Sequence, residues 1–370
     1  MNAPAPFLVY RDRIGARSEL SFLRRQYVGF TRLRPVWVGR DLLPDAPAVG
    51  GTVLRLGGGG VAGPVRRLLF RHGGVVPPIP MAGLAPVIHA QFARGGALAL
   101  PLAEALGAGL VVTLHGGDVS KRKNWRNTVL SRRWPALVRR AAWFVCVSQA
   151  VADIALARGA PADKVMVLPI GVEVPDHPPP PGPRAAHVFV GRFVEKKGIA
   201  VLAEAVRRLR AGGDMTPLVC VGDGDLRPVL ERLARDVPGI TLTGWLAPEA
   251  IQPHLARAVS LLVPSIIAAD GDAEGLPSVI PEAMAWACPV IGSDQGGIAE
   301  AVRSGETGLL VPLGDAGGLA QAMRALGSDA VLRARLGAAA FDMVTKDLNA
   351  RVQSKRLEDV LLTVAASGKA

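Results

Sequence analysis

Short apolar runs alternate along the chain with longer segments of helical periodicity, and this alternation predicts the fold. Most runs are apolar throughout rather than at every second position, which is typical of parallel strands covered on both faces. The predicted strands are Phe7–Tyr10, Val36–Val38, Pro86–His89, Leu110–Leu114, Trp143–Val147, Val165–Leu168, His187–Val190, Leu218–Val221, Ile240–Leu242, Ser260–Val263, Val290–Ile291 and Gly308–Val311.

Helical segments such as Ile199–Arg210 and Leu226–Arg235 fall between the predicted strands. A repeated order of strand, helix and strand implies right-handed βαβ units. We therefore predict an α/β protein with two doubly wound, Rossmann-like parallel sheets facing a cleft. In such sheets ligands bind beyond the carboxyl ends of the strands.

The chain of 370 residues is long enough for two domains, at roughly 100–200 residues per domain. Five of the seven residues 177–183 are proline, and proline is excluded from helix interiors and central strands. We predict a linker there, between an N-terminal domain over residues 1–176 and a C-terminal domain over 184–349. The last segment, about 350–370, has helical periodicity that assigns it to neither domain, and packing on the N-terminal domain is one option.

Composition points to a folded protein in a reducing compartment. Half of the residues are hydrophobic, and the three cysteines show neither a disulfide framework nor zinc spacing. The stretch Ala97–Leu114 has the length of a membrane span, but Pro101 and Glu104 favour a helix, a turn and a buried strand. The segment from Met1 to Arg13 lacks the apolar core of a signal peptide.

Positive charge is concentrated in the first half of the chain. Residues 1–176 hold 23 Lys and Arg against 10 Asp and Glu, whereas the remainder holds 20 against 21. This field predicts an anionic partner such as lipid headgroups, a phosphorylated lipid acceptor or nucleic acid. A solubilising surface is the alternative, and nucleic acid is the weakest option because no base-reading module is evident. Part of the excess comes from Arg24, Arg25, Lys121, Arg122, Lys123, Arg126, Arg132, Arg133, Arg139 and Arg140.

A basic turn follows the first strand of the C-terminal half. The sequence runs from Val188 through Gly191 and Arg192 to Lys197, where a helix begins. A helix N-terminus carries free N–H groups and partial positive charge. Together with Arg192 and Lys197 it would suit a diphosphate, and a solvated basic turn is the alternative.

Two carboxylates flank a later predicted helix start. Glu274 lies in a loop and Glu282 lies about one turn into the helix that Pro277 or Ser278 begins. We expect the two side chains to bracket a ligand, because carboxylate oxygens accept hydrogen bonds from sugar hydroxyls. We expect the backbone of the segment between them, formed by Gly275, Leu276, Pro277 and Ser278, to contact a phosphate or hydroxyl groups of the same ligand. Two surface acids flanking a helix are the alternative.

These two segments resemble the donor-site signature of retaining glycosyltransferase family 4, which has the GT-B fold. The resemblance continues, in the family's order, through Val221–Gly224, Leu242–Leu246, Gly296–Glu300 and Gly305–Val311. It implies that Arg192 and Lys197 grip the donor diphosphate, beside Gly191. It also implies that Glu282 holds ribose hydroxyls, that Glu274 contacts the transferred sugar, and that Leu246 lies near the base.

The resemblance is weaker in the N-terminal half. The turn His115-Gly-Gly-Asp118 is similar to one in which the family's histidine approaches the donor sugar. It implies a catalytic sugar contact for His115 and a structural or acceptor-side role for Asp118. Gln91 stands where an acceptor-binding branch has a second histidine, which leaves the role of His89 open. The family's early glycine loop is reduced to Gly15, and we predict that Ser18 and Glu19 act on the acceptor side.

Two glycine or aspartate patterns are decoys. Residues 57–60 are four glycines without the Lys and Ser/Thr of a phosphate-binding loop. Asp270-x-Asp272 and Asp223-x-Asp225 imitate a metal motif, but Arg192 and Lys197 already supply positive charge and the family's fold works without metal. We expect no metal and no cofactor, with the nucleotide sugar as a substrate.

The resulting hypothesis is transfer of a sugar from a nucleoside diphosphate sugar to a hydroxyl of a glycan or lipid-linked acceptor, with retention. The pathway implied is exopolysaccharide or lipopolysaccharide synthesis. We expect a cytoplasmic protein that contacts the inner face of the membrane peripherally. An epimerase of the same fold and a non-catalytic nucleotide-sugar or lipid-binding protein are the alternatives.

Overall fold

A computed structural model describes residues 3–15, 19–43, 51–58, 62–77, 79, 83–179 and 182–367, with the side chains of 19–21 and 73 left undescribed. The chain forms two compact units. Unit 1 comprises residues 1–170 and 350–370, and unit 2 comprises residues 171–349. Residues 171–176, which the sequence groups with the N-terminal half, therefore lie in unit 2, where Val172 forms a bridge with Asn349.

The described residues contain fifteen strands. They are β1 Ala5–Tyr10, β2 Arg13–Ile14, β3 Leu33–Gly39, β4 Asp41–Leu42, β5 Thr52–Arg55, β6 Val87–Gln91, β7 Gly109–Leu114, β8 Trp143–Cys146, β9 Val165–Val167, β10 Ala186–Val190, β11 Leu218–Val221, β12 Ile240–Gly244, β13 Ala258–Val263, β14 Val290–Ser293 and β15 Gly308–Val311.

Helices separate most of these strands, and short 3-10 turns cover Arg122–Trp125, Ala162–Lys164 and Glu195–Lys197. The described α-helices are α1 Glu19–Arg25, α2 Gly63–Gly73, α3 Ala93–Ala105, α4 Gly117–Ser120, α5 Val129–Arg140, α6 Gln149–Ala157, α7 Ile199–Ala211, α8 Arg227–Asp236, α9 Pro248–Ala256, α10 Val279–Met284, α11 Gly296–Ala301, α12 Ala316–Ser328, α13 Ala330–Asp347 and α14 Ala350–Ser367.

Unit 1 is built on a parallel sheet. Its described strands follow the order β5-β3-β1-β6-β7-β8-β9, and β2 and β4 form a separate short pair. The chain order reverses direction at β1, where β3 lies on one side and β6 on the other. This switch point places the carboxyl ends of β1, β6 and β7 side by side, which is where a doubly wound sheet binds its ligand.

The apolar stretch Ala97–Leu114 is a helix, a turn and a strand, as the sequence predicts. It belongs to α3 and β7, with Gly107 at positive φ between them. Pro101 lies inside α3, where the buried helix tolerates it. None of the described helices combines the length and the apolar character that crossing a membrane requires.

The helix α14 completes unit 1 from the far end of the chain. Leu357, Leu361 and Val364 join the same core as Phe7 and Val111 of the sheet. The carboxylate of Glu358 in this helix is 1% exposed and accepts backbone N–H bonds from residues 31, 32 and 33, at 2.9, 2.7 and 2.8 Å. These contacts hold α14 to the start of β3.

Unit 2 is a parallel sheet in the order β12-β11-β10-β13-β14-β15 among its described strands. Val188 and Phe189 are neighbours in β10, yet they belong to two different core clusters. Phe189 packs with α7 and α12, and Val188 packs with α10 and α13. Because both faces of the sheet are covered, most of its strands carry consecutive apolar residues. The edge strand β12 is the exception, since Thr241 and Thr243 alternate with its apolar residues.

Candidate functional site

The basic turn of unit 2 begins where β10 ends. Phe193 donates its backbone N–H to Asp223, and the three residues Glu195–Lys197 form a 3-10 turn that leads into α7. Gly198 ends that turn at φ 67°, and a β-carbon there would lie 1.8 Å from the carbonyl oxygen of Pro264. Glycine alone fits this position, because it permits positive φ and a close approach of backbone to backbone.

A buried ion pair joins this turn to the loop after β13. The Lys197 Nζ lies 2.9 Å from the Glu274 Oε1, and the two side chains are 15% and 9% exposed. Lys196 adds a second cation, with its Nζ 3.2 Å from Asp272 and 3.7 Å from Glu274. Backbone bonds from Ile266 to the Lys196 carbonyl further fix the loop to the turn. The structure therefore brings together the predicted residues Lys197 and Glu274.

The cations keep Glu274 ionised. Burial by itself would raise the pKa of this carboxyl, but Lys197, Lys196 and Arg192 together hold the pKa below its usual value. Arg192 is exposed at the same turn and contributes to this field. Gly191 leaves room for the stem of Lys197, since a β-carbon at Gly191 would already contact its Cδ and Cε. The result is a carboxylate inside a cluster of three positive charges.

The remaining predicted donor residues lie in the loop before α10, in α10 itself and in the segment after β12. α10 begins at Val279, with Ser278 at its N-cap position and no side-chain capping bond. Gly275 and Pro277 are buried, whereas Leu276 and Glu282 are half-buried. Leu246 is also half-buried and follows β12.

Three of the four aspartates of the apparent metal motifs have protein partners. Asp272 pairs with Lys196, and Asp270 accepts a bond from the Asp272 N–H at 2.9 Å. Asp223 pairs with Arg227 at 3.2 Å. Among the described residues no group of three or more His, Cys, Asp or Glu side chains is arranged to hold a metal ion.

His115 stands at the carboxyl end of β7 in unit 1. Its Nε2 lies 2.9 Å from the Gln91 Oε1, and its ring lies 4.2 Å from that of Phe92 between ring centroids. Phe92 has a φ of 69°, and the guanidinium of Arg11 lies 4.2 Å from its ring centroid. Strain of this kind in a non-glycine residue is frequent at functional sites. Arg11 is a site residue that sequence reasoning missed.

Both histidines of this region are neutral. Burial, with the positive charge of Arg11, lowers the pKa of His115 well below its usual value. Burial lowers the pKa of His89 to about 3. A neutral ring can accept one hydrogen bond and donate another, whereas a protonated ring can only donate. His115 is therefore suited to bind a hydroxyl group rather than an anion.

Asp118 fastens the two strand ends that carry this site. One carboxylate oxygen accepts the backbone N–H of His115 at 3.0 Å, and the other accepts that of Ala93 at 2.8 Å. Because both oxygens have backbone partners, the geometry favours the structural role for Asp118. Ser18 lies outside the described residues, and Glu19 lies in α1 with its side chain undescribed.

Family comparison identifies the kind of protein to which these sites belong. The family description "Glycosyl transferases group 1" matches residues 184–329, and "Glycosyltransferase Family 4" matches residues 84–175. The chain is also 31% identical, over 76% of its length and 71% of the relative, to the amylovoran biosynthesis glycosyltransferase AmsK of Erwinia amylovora. The chain belongs to glycosyltransferase family 4. It is therefore a transferase, as the motifs predict.

Two other relatives of this glycosyltransferase are themselves named as a glycosyltransferase and a mannosyltransferase. The putative colanic acid biosynthesis glycosyltransferase WcaL of Escherichia coli is 32% identical over 75% of the chain and 70% of the relative. A GDP-mannose-dependent phosphatidylinositol monomannoside mannosyltransferase of Mycobacterium tuberculosis is 29% identical over 88% of both chains.

Solved structures confirm the predicted GT-B fold. Anabaena HepE in complex with UDP-glucose superposes on the glycosyltransferase with a TM-score of 0.78 and 16% identity, covering 97% of this chain and all of HepE. The sucrose-phosphate synthase of Thermosynechococcus elongatus gives a TM-score of 0.75 with 21% identity, covering 99% of this chain and all of the synthase.

Proposed function

We propose that the enzyme moves a sugar from a nucleoside diphosphate sugar to a hydroxyl of a glycan or lipid-linked acceptor, with retention of the anomeric configuration. The observation that carries this proposal is the buried pair of Lys197 and Glu274 beside Arg192. Lys197 and Arg192 bind the donor diphosphate, and the N-terminus of the 13-residue helix α7 adds its partial positive charge. Glu274 faces the transferred sugar, and Glu282 holds the ribose.

The cationic cluster provides transition-state stabilisation. Negative charge develops on the diphosphate as the glycosidic bond breaks, and fixed positive groups stabilise that charge without reorganising. Glu274 holds Lys197 in position before the donor binds, since their atoms are 2.9 Å apart. Interactions that strengthen as the bond breaks lower the barrier rather than merely bind the substrate. This chemistry needs no divalent cation at the diphosphate.

Donor hydrolysis tests this assignment without a known acceptor. A thermal-shift screen with UDP and GDP sugars finds the donor, and release of nucleoside diphosphate is then followed in Lys197→Met. We expect a rate lower by about 10²–10³, because one charged contact to the leaving group is lost. Lys346→Met, an exposed lysine of unit 2, is the matched control and should retain the wild-type rate. Equal rates in the two variants would refute the proposal.

His115 is proposed to contact the donor sugar. Its neutral ring lies at the carboxyl end of β7, where a doubly wound sheet binds ligands. His115→Ala should raise the KM for the donor and lower kcat, because the ring would hold a sugar hydroxyl in the reacting geometry. Ser18 and Glu19 stay predictions for the acceptor side.

We further propose that unit 1 contacts an anionic membrane through α2. Val65, Leu68 and Leu69 of this helix are exposed, at 58%, 58% and 45%. Arg66 and Arg67 lie beside them, and the sequence has no acidic residue between positions 45 and 104. A helix with exposed apolar and basic residues binds anionic bilayers by burial and charge together. Such contact would place the enzyme on the cytoplasmic face of the membrane, where nucleoside diphosphate sugars are present.

Vesicle co-sedimentation tests this surface. Leu68→Glu should bind vesicles of phosphatidylglycerol and phosphatidylcholine at least several-fold more weakly than the wild type, because it adds an anion to the apolar face. The control is Val331→Glu, which alters an exposed apolar residue of unit 2. Equal binding by both variants would refute the proposed surface.

Two arginines of the basic excess have structural roles instead. Arg133 and Arg140 donate hydrogen bonds to the backbone carbonyls of Ala97 and Ala108.

A further inference from the structure

A continuous chain of hydrogen bonds runs behind His115 through the core of unit 1. The His115 Nε2 meets the Gln91 Oε1 at 2.9 Å, and the Gln91 Nε2 meets the Tyr27 Oη at 2.7 Å. The Tyr27 Oη meets the His89 Nδ1 at 2.8 Å, and the His89 Nε2 meets the Thr113 Oγ1 at 2.6 Å. The chain thus joins the ends of β6 and β7 to the residues that follow α1.

The amide of Gln91 gives this chain a direction. Its nitrogen donates both to Tyr27 and to the Gln26 Oε1, which lies at 3.0 Å. Because Tyr27 accepts from Gln91, its own hydroxyl proton is available for the His89 Nδ1, and His89 then donates from Nε2 to Thr113. At the other end the Gln91 oxygen can only accept, so His115 must donate from Nε2.

The surroundings of the chain keep it intact. His89 and Gln91 are completely buried and Thr113 is 1% exposed, so water does not compete for these bonds. The ring of Tyr27 packs edge-on against Trp37 and His89, at 5.7 Å from each. The His115 ring also packs against the rings of Phe22 and Phe92, at 5.6 and 4.2 Å between ring centroids.

We propose that Gln91, Tyr27 and His89 are positioning residues that fix His115 as the tautomer protonated on Nε2, with Nδ1 presented as a hydrogen-bond acceptor. The described residues place no hydrogen-bond partner on Nδ1, so its lone pair is available to a ligand. This inference rests on the proposed function for its consequence: the group that His115 binds is a hydroxyl that donates its proton. An ether or carbonyl oxygen at the same position would face a lone pair and be rejected.

Nuclear magnetic resonance of ¹⁵N-histidine-labelled protein tests the tautomer directly. Ring ¹⁵N shifts separate protonated from unprotonated nitrogens, and His115→Gln identifies the His115 signals. The reference spectrum is that of Gln91→Glu, because a carboxylate at position 91 can only accept a hydrogen bond from Nε2. It is recorded at about pH 8, well above the ordinary pKa of histidine. The wild-type protein should match this reference. A wild-type ring protonated on Nδ1 would mean that the chain runs in the opposite direction and would overturn the proposal.

The protein has two tyrosines, Tyr27 inside the hydrogen-bond chain and Tyr10 outside it, and together they test the positioning role. Tyr27→Phe breaks the chain while keeping the aromatic packing, so the His115 signals should shift toward a mixture of tautomers. Tyr10, at the end of β1, is also buried, at 0% exposed against 8% for Tyr27, but its hydroxyl has no hydrogen-bond partner among the described residues. Tyr10→Phe should leave the His115 signals unchanged. Unchanged signals in Tyr27→Phe would contradict the positioning role.

Kinetics separate this inference from the proposed function. In Tyr27→Phe we expect kcat for donor hydrolysis to fall on the order of tenfold, with a smaller change in KM than in His115→Ala. Tyr10→Phe should stay within about twofold of the wild type. If the tautomer signature is found but no donor is hydrolysed, the proposed function fails and the positioning stands. If hydrolysis occurs with equal rates in both tyrosine variants, the positioning fails and the proposed function stands.

Discussion

Removing the positive charge of Lys197 should strongly destabilise unit 2, in a way that depends on pH. Lys197→Met would leave Glu274, which is 9% exposed, with Lys196 at 3.7 Å as its remaining ion-pair partner. Breaking a buried ion pair by deleting one partner costs about 3–5 kcal/mol, because an uncompensated charge stays buried. Since Lys196 remains in reach, we expect the lower end, about 3 kcal/mol at neutral pH.

The pH dependence follows from the pKa of Glu274. In the wild-type protein the cations hold this pKa below its ordinary value, so ionised Glu274 adds stability that is lost as the pH falls through the folded-state pKa. In Lys197→Met we expect the effect of burial to dominate, so that the pKa of Glu274 rises above its ordinary value. Ionised Glu274 then destabilises the variant at neutral pH, and acidification relieves that cost. The deficit relative to the wild type should therefore shrink between about pH 7 and pH 5.

Urea unfolding of a double-mutant cycle measures the coupling. The cycle combines Lys197→Met with Glu274→Gln, and Lys346→Met serves as the exposed-lysine control. The double variant should recover much of the loss, because it buries no lone charge. A coupling energy below about 0.5 kcal/mol is the value of an exposed pair. Such a result, or a deficit that does not change with pH, would refute the buried cationic cluster.

Three further predictions concern local structure. Glu358→Ala should lower the free energy of unfolding of unit 1 by about 3 kcal/mol, since one buried and two part-buried N–H groups lose their acceptor, whereas the neighbouring exposed Asp359→Ala should cost under about 1 kcal/mol; urea titration compares them. Gly198→Ala should abolish donor binding in a thermal-shift assay, because its β-carbon would displace the Pro264 carbonyl and with it the turn. Ala287 has a φ of 50°, so Ala287→Gly should raise the unfolding midpoint, by up to about 1 kcal/mol in free energy.

Much of the fold could be predicted because short apolar runs in the sequence mark most of the strands. The sequence predicts twelve strands, and each coincides with a described strand within three residues at either end. Three described strands were not predicted. The strands β2 and β4 have only two residues each, and β5 lies at the sheet edge, where its first and last residues are exposed and no continuous apolar run marks it. The placement of α14 on unit 1 also had no local signal, since the partners of Glu358 lie more than 300 residues away along the chain.

The candidate site was predictable where its residues are close in sequence to a glycine turn. Lys197 was assigned from its position at a helix start, but the part played by Lys196 was not, because a 3-10 turn rather than spacing sets which lysine reaches Asp272. The hydrogen-bond chain behind His115 could not be predicted from the sequence, for a different reason. Tyr27 and His89 are 62 residues apart, and only the tertiary fold brings the segment after α1 to β6.

The order in which the chain is synthesised gives the position of α14 a consequence for folding. All of unit 2 is translated before α14 exists, so unit 1 leaves the ribosome with part of its sheet uncovered and its β3 N–H groups unpaired. Unit 2 needs no later segment and can fold first. A nascent chain stalled before residue 350 should therefore expose an apolar surface that chaperones bind. Once α14 has been synthesised, it packs on unit 1 and covers that surface.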